Sequence, residues 1–146
     1  MNILLFEDRG SVFKPLKDAL ETMGHKILDA YNIYEANEYL DQGHIDCIIL
    51  DLNMSPDGLS DEEKKQTEDG ILTGWIWLKN YALPTVPMLR QCTIIISEYI
   101  AYLQVHMKKE DLEGIELINK KSEDGLAKRL FGAIKVIEDH RQKRVM

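Results

Sequence analysis

Short apolar runs and amphipathic helical stretches alternate along this chain from end to end, and that alternation constrains its fold more than any other feature. The runs are ILLF (Ile3 to Phe6), KILDAY (Lys26 to Tyr31), Asp46 to Leu50, TIII (Thr93 to Ile96) and IELIN (Ile115 to Asn119). Between them, apolar residues recur at helical spacing: Val12, Leu16, Leu20 and Met23; a stretch over about 33–40; another over about 71–81; Ile100, Leu103 and Met107; and Leu126, Leu130, Ile134 and Ile137. The punctuation agrees. Ser11 and Ser122 stand where helices begin, Glu123 and Asp124 fall in a first turn, and Gly24 and Gly43 stand where helices stop. Pro15 is tolerable near a helix start, and Pro84 with Pro87 marks the connection into the fourth strand.

Strands alternating with helices argue for an α/β fold with a parallel sheet covered on both faces. Right-handed crossovers leave few topologies, and for five strands the flavodoxin-like order 2-1-3-4-5 is expected. All strand C-termini then lie along one edge, where ligands bind in such folds. The 146 residues fit one domain, with no internal repeat and no linker.

Composition narrows the function classes. Lys and Arg number 18 against 25 Asp and Glu, a net charge of −7, which argues against direct nucleic-acid binding. The basic cluster Arg141, Lys143 and Arg144 is placed to complement the dipole of the last helix. Cys47 and Cys92 form no C-x-x-C and read as reduced thiols. No apolar run approaches the ~18 residues of a membrane span, and the first strand starts at Asn2 or Ile3, without room for a signal peptide. A soluble, cytoplasmic protein without membrane insertion is expected.

Four of the strands end on chemistry-bearing side chains. Glu7 and Asp8 follow the first, Asp51 the third, Ser97 the fourth and Lys120 the fifth. Each alone is an ordinary turn or cap residue; four in order, each at a strand C-terminus, point to a site. Three like-charged carboxylates need a cation, and Mg²⁺ suits oxygen ligands shared with a phosphate. The carbonyl of Asn53 adds a possible oxygen ligand. A carboxylate is a competent nucleophile for phosphoryl transfer, with the metal, Lys120 and Ser97 compensating charge on the moving group.

On these residues the chain resembles a bacterial response-regulator receiver domain of two-component signalling, standing alone. LLFED is similar to the acidic pair after strand 1, DLNM to the segment that begins with the phosphoacceptor, IIIS to the strand ending in Ser or Thr, and LINK to the strand ending in lysine. The resemblance implies Asp51 as phosphoacceptor, Glu7, Asp8, Asp51 and the Asn53 carbonyl as Mg²⁺ ligands, and Ser97 and Lys120 at the phosphoryl group. It implies a sensor histidine kinase or phosphotransfer protein as donor and a downstream protein as target, with a face built from the helix after strand 4, strand 5 and the last helix changing on phosphorylation. Such a domain is a regulatory phosphoacceptor, not an enzyme with an outside substrate. Two alternatives stay open: a phosphorylation-independent pseudo-receiver, and a Mg²⁺-dependent aspartyl phosphohydrolase.

The chain departs from the family pattern at four places. About a dozen residues are inserted within 55–69, before Asp69 and Gly70; Glu98 replaces a small residue; Leu117 stands where an aromatic switch is expected; and Lys121 stands where a proline is expected. Within the insertion, Ser60 and Glu63 have capping-box spacing, which predicts a short helix over 61–66. Because it leaves the chain four residues after Asp51, two readings of the insertion stay open, a partial lid over Asp51 and a solvated loop without effect on it, with Leu59 its one candidate core residue.

Overall fold

A computed structural model describes residues 1–8, 10–121 and 125–145. Five parallel strands form one sheet in the order β2-β1-β3-β4-β5. They are β1 (Asn2–Phe6), β2 (Lys26–Ala30), β3 (Cys47–Leu50), β4 (Thr93–Ser97) and β5 (Glu116–Asn119). The register runs level across the sheet: Phe6 pairs with Leu50, Leu50 with Ile95, and Ile95 with Leu117. β3 and β4 are buried along their whole length, while the edge strands β2 and β5 are partly open. That is the pattern of a parallel sheet covered on both faces, and it explains why CIIL and TIII are apolar without alternation.

The helices are α1 (Gly10–Thr22), α2 (Ile33–Gln42), α3 (Asp61–Gln66), α4 (Thr73–Trp77), α5 (Leu83–Thr85), α6 (Ile100–His106) and α7 (Leu126–Val145). α2 opens on Asn32, whose side chain accepts the Glu35 N–H, and closes on Gly43, whose N–H reaches the Leu40 carbonyl. α4 packs on β1 through Trp77, edge-on to Phe6 with centroids 5.0 Å apart. The Trp77 indole donates to Asn37 at 2.7 Å, and Tyr81 donates to Asp41 at 2.5 Å, which joins α4 and its continuation to α2. α7 returns to the α1 side, where Glu138 lies 3.3 Å from the buried His25. Leu130, Ile134 and Ile137 of the expected α7 stripe are buried.

Several sequence expectations need correction. α1 starts at Gly10, so Ser11 lies inside it rather than at its cap. Its buried stripe contains Phe13 and Leu20, whereas Met23 is half exposed beyond its end. The helix expected over 71–81 begins as α4, widens into a π-turn at Leu78–Ala82 and continues through α5. Pro84 therefore lies within a helical path. It has no N–H to give, and its ring would crowd the carbonyl four residues back, which the wider turn avoids. Arg141 forms an ion pair with Asp46 at 2.8 Å, so its charge serves a tertiary contact. Ser122, Glu123, Asp124 and Arg144 lie outside the residues whose side chains are described. Cys47 and Cys92 are free and buried; burial pushes the Cys47 thiol far above its ordinary value, with Cys92 adding to the shift.

The stretch expected to be an insertion, 55–69, is folded. Ser60 caps α3 with a reciprocal capping box: Glu63 N–H to Ser60 Oγ at 3.2 Å, and Ser60 N–H to Glu63 Oε1 at 3.0 Å. These bonds, with the one Asn80 donates, hold the Glu63 carboxyl below its ordinary range. Leu59 is half-buried, and Thr67, a polar residue of a charged stretch, is buried at 1% exposure. Thr67 is a core residue here because its hydroxyl donates to the Lys64 carbonyl and accepts the Gly70 N–H.

Candidate phosphoacceptor site

Asp51 continues β3 by one residue, and its N–H donates to the Phe6 carbonyl at 3.2 Å. From the register, Asp51 stands level with Glu7 on one side and Ile96 on the other. Its carboxylate is mostly buried and doubly engaged. Oδ1 accepts the N–H of Leu52 at 2.6 Å, and Oδ2 accepts from Lys120 Nζ at 2.8 Å. Lys120 reaches Asp51 from two strands away, past the end of β5. Its backbone N–H bonds to the Ser97 carbonyl at 3.0 Å, and its ammonium lies 4.7 Å from the centroid of the Phe13 ring. A low-dielectric aromatic wall beside the ammonium strengthens its attraction to the carboxylate.

Ser97, the last residue of β4, is fully buried, and its hydroxyl accepts the N–H of Tyr99 at 3.1 Å. A hydroxyl that accepts still has a proton to donate. Glu7 is buried at 3% exposure, while Asp8, the next residue, is exposed. Among the described residues no three His, Cys, Asp or Glu side chains stand together as a ready metal cage. Lys120 supplies the positive charge beside Asp51. The donor set still suits Mg²⁺, which commonly takes one or two carboxylates and completes its shell with water and phosphate oxygens.

Asn53 is half-buried and lies between two residues clasped to the chain beyond the insertion. Met54 N–H donates to the Gly70 carbonyl at 3.3 Å, and Gly74 N–H donates to the Leu52 carbonyl at 2.9 Å. The insertion therefore leaves and returns through a closed neck. The contacts described for it lead toward helices. Gly58 lies against Ile33 of α2, Glu63 accepts from Asn80, and the Tyr102 hydroxyl of α6 is held above its ordinary range by burial and then by the Glu68 charge. The neck turns through Glu68, Asp69 and Gly70, all at positive φ (53°, 58° and 91°).

Glu98 points to solvent, and Leu117 is half-buried beside Met107 and Leu112. Two contributors to the site were not singled out from sequence: Phe13 and Gly74. The glycine carried a signal, because an isolated glycine inside a helical pattern usually has a packing reason. Phe13 lies off the apolar stripe Val12, Leu16, Leu20 and Met23, and nothing in sequence ties it to Lys120.

No protein-family model matches the chain, and no curated protein matches it in sequence. Solved structures do match its fold. The chain is similar to the response regulator receiver domain protein of Clostridium thermocellum at 22% identity and a TM-score of 0.65, over 99% of this chain and 98% of that one. It is similar to a response regulator of Desulfuromonas acetoxidans at 21% identity and a TM-score of 0.63, over 94% and 96%. It is also similar to response regulator TrrA of Thermotoga maritima, solved in complex with Mg²⁺-BeF, at 20% identity and a TM-score of 0.55, over 90% and 97%. The chain has the fold of a response-regulator receiver domain.

Proposed function

We propose that this protein is a phosphorylation-dependent signalling switch in which Asp51 accepts a phosphoryl group from a phosphohistidine donor, a sensor histidine kinase or phosphotransfer protein. The observation that carries the reading is the Lys120–Asp51 pair, 2.8 Å apart at the C-terminal edge of a receiver-fold sheet. A carboxylate held by a peptide N–H and an ammonium is oriented for attack, and the ammonium stays in place to meet charge on the incoming oxygens. Asp8, Asp51, Glu7 and the Asn53 carbonyl are the residues that would hold Mg²⁺, which supplies charge compensation at the phosphoryl oxygens. Ser97 supplies a hydroxyl donor one residue beyond the level of Asp51 on the neighbouring strand. The new charge on Asp51 competes for Lys120 and Ser97, and their movement is passed to α6 and β5, which adjoin them in the chain. The product is a changed protein surface for a downstream protein rather than a released metabolite.

Incubation with phosphoramidate, with and without Mg²⁺, tests this by intact mass. One phosphoryl group is expected on wild type with Mg²⁺ and none on Asp51→Asn. Equal labelling of both proteins places the chemistry elsewhere. Labelling of neither removes the phosphoacceptor role.

A further inference from the structure

The α4 helix begins directly against the phosphoacceptor. A Cβ built on Gly74 would stand 2.0 Å from the Asp51 carbonyl oxygen, 3.1 Å from its carbonyl carbon and 3.1 Å from Leu50 Cδ1. The first distance is far inside van der Waals contact, and the atom met is backbone, which cannot swing aside. The residue is glycine although alanine is the better helix former. Close approach of two backbones explains the choice.

That approach bears on the carboxylate through covalent geometry. The carbonyl of Asp51 and the N–H of Leu52 belong to one planar peptide unit. Gly74 sits on the oxygen end of this plane, and the nitrogen end donates to Asp51 Oδ1 at 2.6 Å. The next peptide is held by the same residue, since Gly74 N–H donates to the Leu52 carbonyl at 2.9 Å. Thr73 ties the start of α4 to the neck of the insertion through its hydroxyl, which donates to the Gly70 carbonyl at 3.0 Å.

We propose that Gly74 is a positioning residue for Asp51: by seating α4 on the Asp51–Leu52 peptide it fixes the tilt of that plane, and so the direction in which the carboxylate faces its phosphoryl donor. The inference rests on the phosphoacceptor reading of Asp51. A side chain at this position tilts the peptide, weakens the Leu52 N–H to Oδ1 bond and turns the carboxylate away from Lys120. Misplacement of a reacting group by about 1 Å can cost as much as a hundredfold in rate.

The test uses the full chain as Gly74→Ala, with Gly132→Ala on α7 as the control, because a Cβ there meets nothing within 4 Å. Three readouts are taken: thermal unfolding, the Leu52 amide in the ¹H–¹⁵N spectrum, and the rate of labelling by phosphoramidate with Mg²⁺. In folded Gly74→Ala the Leu52 amide proton should move upfield and labelling should slow about tenfold or more; Gly132→Ala should match wild type in both. Wild type that labels, beside a Gly74→Ala variant with unmoved Leu52 amide and wild-type rate, overturns the positioning role and leaves the phosphoacceptor reading intact. Failure of wild type to label overturns that reading, and the Leu52 amide alone then decides whether Gly74 sets the peptide. Should Gly74→Ala not fold, Thr73→Val decides. It loosens the start of α4 without adding volume, and smaller changes in the same two readouts are expected. Unchanged readouts overturn the proposal.

Discussion

Asp51 owes its orientation to a peptide N–H on one oxygen and an ammonium on the other. Its side chain is 12% exposed and that of Lys120 22%, so the pair is shielded enough to count toward stability. Removing the cation leaves a largely buried carboxylate short of a partner, a cost of about 1–3 kcal/mol. Lys120→Met should therefore lower the unfolding free energy in urea by that order, and Asp51→Asn should make the second substitution cheaper. A cycle of the two with no coupling would show that the pair does not interact in solution. Asp8 is exposed and follows the buried Glu7 at the end of β1. Asp8→Ala should strongly weaken Mg²⁺ binding measured by titration calorimetry, because a hard cation at this edge relies on very few carboxylates. Unchanged affinity would place the metal away from Asp8.

At the scale of elements, α3 shows how a polar stretch becomes a helix. DEEKKQ has no buried residue, so packing of its own side chains does not hold it; the capping box does. Ser60→Ala should cost about 1 kcal/mol locally, visible as faster amide exchange over residues 61–66. The Glu63 carboxyl is lowered on folding by the Ser60 bonds and by Asn80. A lowered carboxyl contributes stability above its unfolded value and loses it as pH falls through its folded value. Protection of α3 should accordingly fall on acidification below the ordinary carboxylate range, and Glu63→Gln should flatten that dependence. A second prediction concerns output. Leu117 is not aromatic, so switching should run through Ser97 into α6 rather than through a ring rotation. Chemical-shift mapping with a beryllofluoride mimic should show changes in α6. A response confined to the loops around Asp8 and Asp51 would contradict this.

For the whole molecule, the insertion is a folded excursion with a closed neck rather than a loose loop. Its two ends are already hydrogen-bonded, Met54 to Gly70, so shortening it adds no loop to close. Replacing residues 57–66 by a short Gly-containing turn, with Thr67 kept, should leave a cooperative unfolding transition. Keeping Thr67 matters because it is buried and holds the Gly70 N–H. The described contacts of the insertion run to α2, to Asn80 beyond α4, and to α6, which is the arrangement of a brace. A brace predicts labelling and dephosphorylation rates within about twofold of wild type, whereas larger changes in either would support a lid; stopped-flow or intact-mass time courses decide. No helix among the described residues is long and apolar enough to cross a membrane.

What the sequence by itself determined were the quantities that depend on order and period. Apolar runs separated by helical stripes settle the number of strands and their parallel arrangement, because both faces must be covered and crossovers have one hand. The polar residues ending the strands were legible for the same reason: a parallel sheet brings every strand C-terminus to one edge. The Ser60–Glu63 spacing predicted α3 because a capping box is a local interaction between residues three apart. Tertiary structure alone decided which charges meet. Asp51 and Lys120 are separated by 69 residues, and only the order β3-β4-β5 and the Phe13 wall bring the ammonium to that carboxylate. It also decided that α4 presses its glycine onto the Asp51 peptide. These are distances between backbones packed from far-apart segments, and periodicity holds no record of them.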